Sequence, residues 1–133
     1  MTWLTGLLLI LAISAGGTLI AERVRFRRYW DRTCTGASWK AAFPNATKGE
    51  IRQFLGMFVS AFGFSPSRRL SFEPADRVMD IYRTRYPSRG WPDALELETL
   101  ATLARERYAL DLVSFWRDDV TLGEVFERAR RVA

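Results

Sequence analysis

Charged side chains are absent from the first 21 positions and crowd in directly afterwards, so the chain divides at Ala21. Trp3 to Ala21 reads WLTGLLLILAISAGGTLIA, 19 consecutive uncharged and mostly apolar residues. As an α-helix at about 1.5 Å per residue this stretch reaches about 28 Å, close to the thickness of a bilayer core, so the pattern predicts a transmembrane helix over 1–21. A secretory signal peptide is a rival reading, but its positive amino-terminal region is missing; a buried core helix is a third. Ala12, Ser14, Gly16 and Gly17 would let another helix pack closely against this one. The next eleven residues, Glu22 to Arg32, set Arg23, Arg25, Arg27, Arg28 and Arg32 against two acids. Such an excess suits lipid headgroups and holds its flank in the cytoplasm. The expectation is a single-pass protein of the cell membrane with its carboxy-terminal domain cytoplasmic.

Residues 22–46 read as a basic and aromatic juxtamembrane connector, because Asp31 to Ala46 show no clean period. Helical signals then recur. Thr47 followed by Glu50 is a capping box, and Ile51, Phe54, Leu55, Phe58, Val59 and Phe62 form one stripe at helical spacing, with Gly63 as a stop. Glu73-Pro74-Ala75-Asp76 predicts a second helix start, carrying Val78, Ile81 and Tyr82 inward and ending at Tyr86-Pro87. Asp93 with Glu96 caps a third, whose inner face is Leu97, Leu100, Ala101, Ala104 and Tyr108, with Leu95 against the preceding turn. Thr121 with Glu124 repeats the capping box ahead of Leu122, Val125, Phe126, Ala129 and Val132. No stretch reads as a strand. Residues 47–133 are therefore expected to form a small, irregular four-helix bundle, making the chain all-α.

Composition narrows the chemistry. Among 133 residues there is no histidine and one cysteine, Cys34. The commonest general base, the commonest metal ligand, every Ser-His or Cys-His nucleophile and any internal disulfide go with them. The carboxylate pairs Asp76/Asp80 and Asp93/Glu96 have the spacing of solvated helix faces and caps, and no tunable base stands beside them in sequence. A net charge of +5 and Arg68, Arg69, Arg77, Arg83, Arg85 and Arg89 could serve nucleic-acid phosphates, but Glu73, Asp76 and Asp80 interrupt the run.

The order of parts resembles an acyl carrier protein: a long first helix, a long loop, a turn opening a second major helix, a short third segment and a final helix. Asp93-Ala94-Leu95-Glu96-Leu97-Glu98-Thr99-Leu100 stands where such carriers have Asp-Ser-Leu, and Thr121-Leu122-Gly123-Glu124-Val125 resembles the opening of their last helix. The likeness covers about residues 47–132 and extends to a family of divergent bacterial acyl carriers. It implies a carrier-like fold and an acidic recognition face at Asp93, Glu96 and Glu98. Carriers attach phosphopantetheine through the serine of that turn, and position 94 is alanine, so no prosthetic arm is implied.

Together these features point to a non-enzymatic, membrane-anchored interaction module, an accessory or assembly subunit of a larger membrane complex. It would have no cofactor, metal or catalytic residue. The bilayer and a membrane protein complex are the expected partners; nucleic acid and a small-molecule substrate are not expected. Trp39, Phe43, Phe64 and Phe72 are candidate contacts near the membrane, with ordinary core or interfacial packing as the alternative for most of them. The alternative is an acyl carrier-like or lipid-handling protein without the arm.

Overall fold

A computed structural model of the chain describes residues 2–87 and 94–132, apart from the side chains of Thr2 and of residues 14–19. The described residues are helical: α1 Thr2–Arg25, α2 Arg27–Trp30, α3 Gly36–Ala42, α4 Lys48–Ala61, α5 Val78–Arg85, α6 Leu95–Tyr108 and α7 Leu122–Val132. Two 3-10 segments, Pro66–Ser71 and Leu112–Phe115, join them. No strand forms among the described residues; Arg77 and Thr121 share one isolated antiparallel bridge.

The core is built around α4. The Thr47 hydroxyl accepts the Glu50 amide at 3.1 Å, satisfying one of the free donors of the first turn. Ile51, Phe54, Leu55, Phe58, Val59 and Phe62 are all buried, as the stripe predicts. Gly63 closes the helix at φ 72°, a left-handed conformation that glycine adopts without steric cost. The Gly63 amide then donates to the Ser60 carbonyl and the Phe64 amide to the Val59 carbonyl, a Schellman ending that turns Phe64 back onto the core. In the last helix, Thr121 caps α7 by accepting the Glu124 amide, and Leu122, Val125, Phe126 and Ala129 are buried while Val132 is exposed.

The transmembrane assignment of residues 1–21 is overturned: among the described residues, no helix is long and apolar enough to cross a membrane. The single-pass, cell-membrane localisation and the membrane-anchored part of the architecture fall with it.

The segment expected to connect, 22–46, enters the core instead. Phe26, Tyr29 and Trp39 are fully buried. Trp39 donates its indole N–H to the Phe72 carbonyl at 2.8 Å, and the buried Thr35 hydroxyl donates to the same oxygen at 2.7 Å. Rings continue the seam: Phe26 meets Phe64 edge-on at 5.2 Å, Phe58 meets Phe72 at 5.1 Å, and Trp39 meets Phe126 at 5.6 Å. Of the four aromatics offered as surface contacts, Trp39, Phe64 and Phe72 are thus core residues, and Phe43 is half-buried against Phe126. Period analysis missed the segment because α3 is only seven residues long and contributes mainly one large side chain.

α5 starts at Val78, four residues later than Pro74 suggested. The intervening backbone is stitched to the start of α7: Leu122 donates to the Asp76 carbonyl, Gly123 to the Pro74 carbonyl, and Val78 to the Val120 carbonyl. These bonds take the Pro74 and Asp76 carbonyls and the Val78 amide, which a helix from Pro74 would need for itself. The predicted end holds, with Tyr86 as the residue following the last turn.

Candidate functional site

Three surfaces collect the residues singled out by sequence. The first is α1. Trp3, Leu4, Leu7, Leu8, Leu9, Ile10, Leu11 and Ile13 are all between 57% and 87% exposed, and Ala12 is exposed beside them. Consecutive positions 7–11 point around the whole helix, so the apolar surface is a cylinder rather than a stripe. The side chains of the packing positions Ser14, Gly16 and Gly17 lie outside the described residues. The carboxy end of α1 is tied to the bundle: Arg25 donates to the Arg85 carbonyl at 3.3 Å, and Glu22 lies 3.8 Å from the Arg85 guanidinium.

The second is the arginine cluster, which the fold disperses. Arg23 lines a cleft with Trp30, Phe64 and Arg68. Arg27 pairs with Asp31 at 3.1 Å on an exposed turn, and Arg28 lies over the Tyr29 ring at 4.7 Å. Arg32 turns inward to the buried Asp76 carboxylate, whose bond to the guanidinium pushes the Arg32 pKa further up. Arg32 is therefore an internal tie and takes no part in an external surface.

The third is the start of α6. Asp93 lies outside the described residues. Ala94 precedes the helix and offers no hydroxyl, while Thr99 and Thr102 bond back to the Leu95 and Glu98 carbonyls of their own helix. Glu96 is buried and accepts the Tyr86 hydroxyl, with the Arg85 Nε at 3.8 Å. That bond to a carboxylate, with burial adding to it, pushes the Tyr86 phenol above its ordinary pKa. Glu98 is exposed. The expected acidic face is thus divided, Glu98 outward and Glu96 into the bundle. Beside Glu98 opens a groove of about 250 Å³ whose walls are otherwise apolar: Leu97, Ala101, Leu112, Val113 and Trp116. Val113 there is 72% exposed, as is the nearby Leu95 at 57%, although the sequence placed Leu95 against the preceding turn.

No family model matches the chain, and comparison with curated proteins and with solved structures gives no significant match.

Sequence reasoning missed the Arg32–Asp76 tie and the groove beside Glu98. The groove has a faint signal in Leu112-Val113 and Trp116, apolar residues left over in a segment without a period. The tie has none, since nothing local links two charges so far apart.

Proposed function

We propose that the chain is a non-enzymatic interaction module, an accessory or assembly subunit of a larger complex, with α1 as the element that a partner takes up. The observation that carries this reading is the exposed apolar cylinder at residues 3–13, attached to a domain with its own packed aromatic core. An apolar surface of this extent marks an interaction site in a folded protein. A partner must cover several sides of α1 at once, which favours insertion into a cleft or bundle over contact along one face.

Purification of the tagged full-length chain from its native extract, followed by mass spectrometry of proteins and lipids, tests the reading. The wild-type chain should retain stoichiometric protein partners. A variant with Leu4, Leu8 and Leu11 changed to Gln should lose them while keeping the wild-type circular dichroism and melting temperature. Partners held equally by both chains would reject α1 as the contact.

The groove beside Glu98 favours a second reading: an acyl carrier-like or lipid-handling protein that binds a chain non-covalently. Its five apolar walls and the alanine at position 94 suit uptake without a covalent arm. Native mass spectrometry decides it, because a co-purifying acyl species lost in Ala101→Trp belongs to this reading alone.

A further inference from the structure

A second cavity, of about 300 Å³, lies between α3, the first turns of α4 and the segment Pro66–Ser71. Lys40, Lys48 and Arg52 line it, and its remaining surface is largely apolar, from Ala37, Ile51 and Leu70, with Cys34 at the same wall. Among the described residues, no carboxylate lines this cavity. The nearest acid in sequence, Glu50, is drawn off by an ion pair with Arg130 of α7 at 3.2 Å. Lys40 is anchored by donating to the Ala46 carbonyl at 2.7 Å and the Pro44 carbonyl at 3.3 Å, so one cation is fixed in place. Lys48 and Arg52 stand one turn apart at the amino end of α4, where the helix dipole adds potential of the same sign.

We propose that this cavity binds a small organic anion, its carboxylate or phosphate group against Lys48 and Arg52 and a short hydrocarbon portion over Ile51, Ala37 and Leu70. Both halves are needed. Cations without an ion-pair partner among the described residues draw the charged group, and the apolar lining gives the hydrocarbon portion a concave surface to bury. The site shares none of its lining residues with α1 or with the groove beside Glu98, so it stands or falls independently of the function proposed above.

Cys34 provides the readout without being part of the recognition. Alkylation of Cys34 by the neutral reagent iodoacetamide is followed in the full-length chain with hexyl phosphate, hexanoate, inorganic phosphate or hexanol present. Hexyl phosphate or hexanoate should slow the reaction saturably, and whichever does so at lower concentration assigns the anion as phosphate or carboxylate. Inorganic phosphate and hexanol, each with half of the chemistry, should need at least tenfold more. The double variant Lys48→Gln/Arg52→Gln should raise the half-protecting concentration at least tenfold, and Ala37→Glu, which adds an acid at the rim, should do the same; melting temperatures check that both fold. Absence of saturable protection, equal protection by hexanol, or protection unchanged in these folded variants would overturn the proposal.

Discussion

Arg32 donates both terminal nitrogens to the Asp76 carboxylate, at 2.5 and 2.8 Å, across 44 residues of sequence. Asp76 is 6% exposed and its Oδ2 also accepts the Glu73 amide at 2.7 Å, so one carboxylate fixes both the turn after α2 and the turn before α5. The Arg32 guanidinium in turn lies over the Tyr29 ring at 5.1 Å. Removing Arg32 leaves the buried Asp76 carboxylate with the Glu73 amide alone, and removing Asp76 leaves the part-buried Arg32 with the Ser71 carbonyl at 3.1 Å and the Glu73 carboxylate at 3.9 Å. Asp76→Ala and Arg32→Ala should each lower unfolding free energy by about 3 kcal/mol, and the double variant should cost clearly less than the sum. Urea denaturation of the four chains measures the coupling; additivity would mean that the pair contributes nothing as a pair.

Gly123 opens α7 directly beneath Pro74. A Cβ at this position would meet the Pro74 carbonyl oxygen at 3.0 Å and the Pro74 Cβ at 3.1 Å, and the Gly123 amide donates to that same oxygen at 2.9 Å. The backbone cannot retreat without losing the bond. Gly123→Ala should therefore destabilise by about 1–3 kcal/mol, although alanine is the better helix former by about 1 kcal/mol. A melting temperature equal to or above wild type would show that the contact yields.

Ala109 ends α6 at φ 53°, in the left-handed region where a Cβ crowds the following carbonyl. Its amide donates to the Arg105 carbonyl at 3.0 Å, which holds the strained residue in place. Ala109→Gly relieves that crowding and should stabilise the chain by roughly 0.5–1 kcal/mol, offset in part by the extra freedom of glycine in the unfolded state. Thermal denaturation reads the sign.

Three tyrosines set the alkaline limit of stability. Burial pushes the Tyr29 and Tyr108 phenols up, and the bond to Glu96 pushes Tyr86 up. In the unfolded chain these groups ionise near pH 10, before they do so in the fold. The folded chain then binds more protons, so stability is fully present below about pH 10 and is lost as pH rises from there through the raised folded values. Melting temperature measured from pH 8 to 11.5 should fall above pH 10. Tyr86→Phe should be less stable at pH 8 and fall less steeply, so that the two curves converge; parallel curves would show that Tyr86 does not contribute.

Local chemistry made much of the bundle readable in advance. The threonine half of both capping boxes forms, the α4 stripe is buried throughout, Gly63 takes the conformation that ended its helix, and α5 stops before Pro87. Each of these depends on residues no more than a few positions apart, where propensity and periodicity act.

What the sequence by itself determined is therefore the helical class of the bundle and the main helices after Thr47, because caps and apolar periods are short-range and survive without their surroundings. Only the tertiary structure decided that the 22–46 segment is core, that Pro74 sits in a turn pinned to α7, that Arg32 faces inward to Asp76, and that Glu96 is withdrawn from the acidic face. Each of those outcomes depends on a partner supplied by a distant part of the chain, such as the Phe72 carbonyl for Trp39 or the Tyr86 hydroxyl for Glu96. A buried polar group takes whichever partner the packed fold brings within reach, and sequence spacing carries no record of that choice.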